Sequence, residues 1–133
     1  MYFIFESIFV GIYSFLLYFL FSFLKIKNSY ISLFIIGFFK HYCAYYIGIQ
    51  NYYCRYGYAC KNKLKILNIS QKELIIDSIH EGFLFLFLGG ILLNINYLYK
   101  NPILLYFIIG VSLHILCEIY GIHKQFCNTK CIS

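Results

Sequence analysis

Four apolar stretches set the strongest limit on what this chain can fold into. They cover residues 2–24, 30–50, 74–99 and 103–122 of a 133-residue sequence. An α-helix of about 20 residues crosses a hydrocarbon core about 30 Å thick. Only 12% of the residues are charged, against roughly 25% in soluble domains. The sequence therefore predicts an integral membrane protein with four transmembrane helices.

The apolar stretches form two similar pairs. Residues 34–54 and 107–127 are identical at 8 of 21 positions at an offset of 73, where chance gives roughly two. Upstream, Glu6 and Gly11 align with Asp77 and Gly82 at an offset of 71. We therefore expect one all-α membrane domain over residues 1–133. It is a four-transmembrane-helix bundle of two tandem helical hairpins, residues 1–61 and 73–133, related by a pseudo-two-fold axis.

This topology puts both termini and residues 51–72 on the same side of the membrane. That side carries the basic residues Arg55, Lys61, Lys63, Lys65, Lys72, Lys124 and Lys130, and the opposite side carries Lys25, Lys27 and Lys100. The positive-inside rule then predicts that the termini are cytosolic. A basic surface there would attract anionic lipid headgroups. No nucleic-acid-binding motif is present, and no nucleic-acid partner is expected.

Cysteines and a glycosylation pattern on the same side indicate the opposite orientation. Four cysteines flank the membrane there: Cys54, Cys60, Cys127 and Cys131. Disulfides persist in oxidising compartments. Asn68, Ile69 and Ser70 match the acceptor pattern for N-glycosylation, which also requires a lumenal face.

Three chemistries stay open for these cysteines. They can form structural disulfides, either one within each half or a single cross-link between the halves. They can bind zinc, with His123 as a further ligand, because His123, Cys127 and Cys131 lie four residues apart on one face of a continuous helix. They can also be redox-active together with Cys43 and Cys117 inside the spans. The Cys-x-x-Cys spacing typical of zinc and redox sites is absent.

Ionisable residues within the predicted spans form a second candidate site, an intramembrane polar frame. Its members are Glu6, His41, Asp77, His80, Glu81, His114 and Glu118. A charge at membrane depth costs about 3 kcal/mol or more, so such side chains usually face the bundle interior. A rise of about 1.5 Å per residue puts them in the half of the bundle nearer the termini.

Three interpretations of this frame compete. The favoured one is structural: each acid bonds a histidine or tyrosine on a neighbouring helix, and no cofactor is needed. The second is a metal site, because inward-facing imidazoles and carboxylates of helical bundles bind zinc, copper or iron. The third is a path for protons or ions, for which chains of acid and histidine are typical.

Four glycines recur at a spacing typical of helix packing. Gly37 and Gly48, like Gly110 and Gly121, lie 11 residues apart, or about three helical turns. Small residues on one stripe let transmembrane helices approach closely.

The stretch HYCAYYIGIQNYYCRYGYACK at residues 41–61, with GIHKQFC at residues 121–127, resembles small multi-span membrane proteins of nucleocytoplasmic large DNA viruses. The resemblance implies a viral origin and an ER-derived or virion membrane. It also implies a virally encoded thiol-oxidation system, which would allow disulfides on a cytosolic face. It implies no activity and no site residue.

The expected function is a non-enzymatic structural component of a viral or intracellular membrane, with a homo-oligomer or other membrane proteins as partners. The first alternative is a membrane-embedded thiol-redox or metal-dependent enzyme. The second is a proton or ion conductor. A hydrolase is poorly supported, because no nucleophile stands out with an adjacent base and an orienting group.

Overall fold

The computed structural model describes residues 2–60 and 65–132, which are predominantly helical and confirm the predicted all-α class. These residues form seven α-helices: α1 (Tyr2–Phe21), α2 (Ser29–Ile47), α3 (Ile49–Tyr56), α4 (Gln71–Leu92), α5 (Asn96–Lys100), α6 (Pro102–Ile119) and α7 (Ile122–Thr129). A short antiparallel pair joins β1 (Ile66–Leu67) to β2 (Cys131–Ile132). Lys61 and Lys63, counted above among the basic residues, lie outside the described residues.

Three helical segments are long and apolar enough to cross a membrane: Tyr2–Leu24, Gln71–Leu92 and Pro102–Ile119. A fourth span exists only if α2 and α3, which meet at an angle of 72°, are counted together. The predicted second span, residues 30–50, is therefore not one straight helix. Large side chains such as Phe5, Phe19 and Phe87 are mostly exposed on the outside of the bundle. An apolar surface of this kind is typical of helices that face lipid.

The third span is also shorter than residues 74–99. Helix α4 ends at Leu92, and the chain turns before the short helix α5. Asn94 closes this turn, because its side-chain amide donates to the carbonyl oxygens of Gly90 and Ile91. The side chain thus supplies donors to carbonyl groups at the helix end, in addition to the backbone N–H of Asn94, which donates to Ile91.

Local sequence signals explain where the other long helices begin. The Asn28 side chain accepts hydrogen bonds from the first backbone N–H groups of α2. Ser70 and Glu73 form a capping box at the start of α4. Pro102 occupies the first turn of α6, where its missing N–H is not needed.

The long helices pack mainly as two pairs, α1 against α6 and α2 against α4. Small residues lie where the backbones approach most closely. A Cβ atom added at Gly37 would lie 2.7 Å from the Cβ atom of Phe85, and one at Gly110 would overlap Ser14. Ser14 and Ser78 are buried, and each donates its hydroxyl to a carbonyl four residues earlier. These serines therefore add small volume to the contacts without leaving a hydroxyl unpaired.

The apolar core lies where these two pairs meet. Leu33, Ile36, Phe85 and Ile109 are almost completely buried there, and each comes from α2, α4 or α6. These side chains hold the two helix pairs together by close packing.

Gly48 and Gly121 do not belong to the packing stripe predicted for them. A Cβ atom at either position would meet nothing within 4 Å. Their φ angles are 94° and 75°, in the left-handed region that favours glycine. Gly48 ends α2 and Gly121 precedes α7, so both glycines break a helix and redirect the chain.

We expect Gly37→Ala to destabilise the bundle and Gly90→Ala to leave it unchanged or more stable. The added methyl group at Gly37 overlaps Phe85, and overpacking of this kind costs about 1–3 kcal/mol. At Gly90 the nearest atom, on Tyr30, lies at an ordinary 3.5 Å, and alanine is favoured over glycine in a helix by about 1 kcal/mol. Thermal unfolding in detergent, followed by circular dichroism, measures the difference. Equal unfolding temperatures for the two variants would contradict the close contact.

Candidate functional site

Two disulfides close the end of the bundle that carries α3 and α7. Cys54 in α3 is bonded to Cys131 in β2, and Cys60 is bonded to Cys127 in α7. All four cysteines are at most 2% exposed. The predicted disulfides are confirmed, but the arrangement with one bond inside each half is wrong. Both bonds instead join the first half of the chain to the second, and they use all four sulfurs that were considered as zinc ligands.

Backbone and side-chain hydrogen bonds hold the same end together. Strand β1 pairs with β2 in a register that puts Leu67 opposite Cys131. The Asn51 side chain accepts from the backbone N–H of Leu67, and Lys65 donates to the carbonyl oxygen of Cys127. Residues 65–67 are thus held to both α3 and the C-terminal segment at this end of the bundle.

A cluster of buried and partly buried polar side chains lies at this end. His114 Nε2 lies 3.4 Å from Glu6 Oε2, and the other carboxylate oxygen of Glu6 accepts from the backbone N–H of Tyr58 at 2.8 Å. His123 Nδ1 lies 2.8 Å from Glu118 Oε2. The centroids of the His114 and His123 rings are 4.4 Å apart. We call Glu6, His114, Glu118 and His123 the His–Glu cluster.

The helix break at Gly121 brings His123 to Glu118. In a continuous helix, residues five apart differ by roughly 140° around the axis and do not face each other. Helix α6 instead ends at Ile119, and α7 begins in a new direction at Ile122. The predicted helical face of His123, Cys127 and Cys131 is therefore wrong, because Cys131 lies in β2.

The environment of His123 favours the neutral imidazole. Burial lowers the pKa of His123 below its ordinary value, and the positive field of nearby His114 acts in the same direction. The carboxylate of Glu118 raises this pKa, but the effect of burial is larger. A neutral imidazole has one nitrogen that donates a hydrogen bond and one that accepts a hydrogen bond or binds a metal.

A cavity of about 140 Å³ adjoins the His–Glu cluster. His114 and His123 line it together with His41, Gln50 and Tyr53. Gln50 donates its amide N–H to the carbonyl oxygen of His41. Gln50 Oε1 and His41 Nε2 are buried, and neither has a hydrogen-bond partner among the described residues. The cavity is lined mainly by apolar groups, but its size and these polar atoms give room and partners for a water molecule or for part of a ligand.

The acids of α4 form a separate group of ion pairs. Lys40 Nζ lies 2.5 Å from Glu81 Oε1, with both side chains about 15% exposed. Lys130 lies between Glu73 and Asp77, at 3.5 Å and 3.8 Å. Lys40 interrupts the second apolar stretch, and sequence reasoning missed it as a site residue. The signal that could have found it is that charges at membrane depth pair with one another.

The predicted frame therefore divides into two groups. Glu6, His114 and Glu118 join His123, whereas Asp77 and Glu81 pair with lysines. His41 lines both the cavity of the His–Glu cluster and a second cavity of about 310 Å³ beside Asp77 and Glu81.

His80 lines the second cavity together with His41, Asp77 and Glu81, but at its exposed edge. It is exposed, and it forms no hydrogen bond or ion pair with the described residues. It lies two residues from the buried Ser78 and Gly82, which puts it on the opposite side of α4.

Among the described residues, only His114, Glu118 and His123 bring three potential ligand atoms of histidine, cysteine or acid side chains together. These atoms lie within 4.8 Å of one another. His41 and Asp77, which the predicted frame placed with them, are not members of this group.

No protein-family model matches this chain, and neither a curated protein nor a solved structure matches it. The chemistry of the site therefore has to be argued from its own geometry.

We expect Lys40→Met to destabilise the protein and the double variant Lys40→Met/Glu81→Leu to recover most of the loss. The single substitution leaves a carboxylate buried without its partner, which costs about 3–5 kcal/mol, whereas an apolar pair of similar volume is often neutral. Unfolding free energies in detergent for both single variants and the double variant measure the coupling.

Lys130→Met is the matched control, because its partners Glu73 and Asp77 are 47% and 26% exposed, and ion pairs that water reaches contribute about 1 kcal/mol or less. A double variant that loses as much as the two single variants together would show that Lys40 and Glu81 act independently.

Proposed function

We propose that this protein is a small structural component of a viral or intracellular membrane, without enzymatic activity. In this proposal four transmembrane helices, arranged as two tandem hairpins, are locked into one unit by covalent bonds at one end. The observation that carries the proposal is the pair of disulfides between the two halves. A bundle closed in this way presents a fixed apolar outer surface to lipid and resists separation of its halves.

The helix contacts support a pseudo-two-fold relation between the two halves. A Cβ atom at Gly11 would meet Phe107, and a Cβ atom at Gly82 would meet Phe34. Gly11 aligns with Gly82 at the offset of 71, and Phe34 aligns with Phe107 at the offset of 73. Exchanging the two halves therefore turns the first contact into the second. The same exchange converts the α1–α6 pair into the α4–α2 pair, which are the two main helix contacts.

The disulfides follow the same exchange. Cys54 aligns with Cys127, and Cys60 corresponds to Cys131 in the second half. Exchanging the halves therefore turns the bond between Cys54 and Cys131 into the bond between Cys127 and Cys60. Two bonds related in this way are expected of a duplicated unit that closes on its own copy.

The dimensions of α2 support a fourth span. Its 19 residues extend about 28 Å, close to the thickness of a hydrocarbon core. The bend of 72° then turns α3 away from the direction of α2, toward the plane of the membrane surface. Arg55 in α3, Lys72 and Lys124 are exposed at this end and suit contact with anionic headgroups.

We further propose that the termini face the lumen or the exterior, opposite to the orientation that the count of basic residues predicts. Two buried disulfides at this end require an oxidising environment, which the cytosol does not provide. Asn68, directly after β1, is exposed at the same end. A viral thiol-oxidation system in the cytosol is the alternative that would keep the termini there.

We expect only two of the six cysteines to react with a thiol reagent when the native protein is isolated from membranes under denaturing, non-reducing conditions. All six should react after reduction, and mass spectrometry counts the added groups. The double variant Cys60→Ser/Cys127→Ser should unfold more readily, because loss of a native disulfide typically costs about 2–5 kcal/mol.

The matched control is Cys43→Ser/Cys117→Ser, which removes the two free thiols and should keep both disulfides. Six reactive thiols in the native protein would contradict the covalent closure. Release of the unmodified protein from membranes by alkaline carbonate would contradict an integral membrane component.

We expect a C-terminal extension that carries a glycosylation acceptor, separated from the last residue by a flexible linker, to be modified in a eukaryotic cell. Treatment with a glycosidase should then increase its mobility on a gel. The control is the same extension with glutamine in place of the acceptor asparagine. An unmodified extension on a protein with both disulfides intact would reverse the proposed orientation and favour oxidation of the thiols in the cytosol.

A further inference from the structure

We propose that His114, Glu118 and His123 bind a zinc ion, that Glu6 orients His114, and that one coordination position of the ion opens toward the cavity lined by His41 and Gln50. This inference goes beyond the proposed structural role and does not depend on it.

The spacing of the three side chains suits a single ion. Tetrahedral zinc with bonds of about 2.0–2.2 Å holds neighbouring ligand atoms about 3.3 Å apart. His123 Nδ1 and Glu118 Oε2 are 2.8 Å apart, and all three ligand atoms lie within 4.8 Å of one another. Side-chain shifts on the order of 1 Å therefore bring all three to zinc-binding distances.

The donor set selects the class of metal. Two imidazoles and one carboxylate are the three protein ligands of a common type of open zinc site. Calcium and magnesium prefer sites made of oxygen ligands alone, so two histidines count against both. The filled d shell of zinc imposes no coordination geometry, so zinc can adopt the tetrahedral arrangement that three protein ligands and one water would give.

Glu6 supplies a feature that a zinc site requires and that chance contact between two imidazoles does not explain. A metal-binding histidine almost always donates its second ring N–H to a carboxylate or carbonyl group. His114 Nε2 faces the carboxylate of Glu6, which is itself fixed by the backbone N–H of Tyr58. In the proposed site His114 therefore binds zinc through its other ring nitrogen, Nδ1. His114 is only 7% exposed, so its ring is held inside the protein.

An unpaired polar atom in the adjoining cavity also supports a ligand at this site. Gln50 is 7% exposed, lines the cavity beside His114 and His123, and has a side-chain oxygen without a partner among the described residues. Three protein ligands leave a fourth position on zinc for water. The Gln50 oxygen is a hydrogen-bond acceptor in the cavity into which such a water would project.

The test measures zinc in the full chain, purified in detergent with an affinity tag that contains no histidine. After equilibration with zinc and removal of the excess, we expect one zinc ion per chain by elemental analysis. Zinc should also raise the unfolding temperature. Glu118→Gln and His123→Gln should each weaken zinc binding by tenfold or more, and Glu6→Gln should weaken it by about 10- to 100-fold. Only the unmodified chain and the controls should show the full rise in unfolding temperature.

Two controls separate this site from other ligands. His80→Gln removes an exposed histidine, and Cys43→Ser/Cys117→Ser removes the free thiols; both variants should bind zinc as the unmodified chain does. Absence of stoichiometric zinc from a chain with both disulfides intact would overturn the site, as would full binding by Glu118→Gln or His123→Gln. Loss of zinc in the thiol variant would assign the ion to the cysteines and would also overturn it.

The disulfides of every sample are counted by mass spectrometry, so a misfolded variant is recognised and excluded. Glu118→Gln is nearly isosteric and is the variant least expected to misfold. A chain with intact disulfides and no zinc would contradict the proposed zinc site and would leave the proposed membrane role unaffected.

Discussion

Two left-handed glycines determine what the rest of the structure can build. Gly48 and Gly121 have positive φ angles that cost an ordinary L-residue about 1–2 kcal/mol, and each ends a straight helical path. Without these breaks α3 and α7 would continue α2 and α6 away from the bundle. With them, the two short helices fold over the helix ends and bring Cys54 and Cys127 within reach of their partners. The same break at Gly121 carries His123 back to Glu118.

Two of the acids inside the bundle, Glu81 and Glu6, are satisfied in different ways on its two sides. The acid of α4 at Glu81 is neutralised by a lysine from α2. The acid of α1 at Glu6 is satisfied by a backbone N–H and by an imidazole. The first arrangement is a closed ion pair, which has little capacity left for a ligand. The second leaves imidazole nitrogens beside a cavity, which is why the candidate chemistry lies there.

The sequence predicts the long helices well and their interruptions poorly. Hydrophobic length predicts the positions of α1, α4 and α6, and the cap signals at Asn28 and Ser70 mark two of the starts. The helix break at Gly48 is missed, because glycines spaced by whole helical turns give the same sequence pattern at a helix contact and at a helix break. The pairing of the cysteines is not determined by sequence either, since four cysteines allow three arrangements. His123 joins Glu118 only through that bend, so its role was out of reach of helical spacing.

In the proposed duplication, the two halves share their helix contacts and differ in the ionisable residues that lie between the helices. On the proposed alignment, Glu81 of the second half corresponds to Val10 of the first, and Glu118 corresponds to Tyr45. The glycine contacts and the disulfides obey the exchange of halves, and the polar residues do not. A duplicated unit under structural constraint alone has no reason to concentrate two imidazoles and two carboxylates on one side. The asymmetry is therefore the strongest reason to seek a ligand in this bundle, even though its covalent frame suits a structural role.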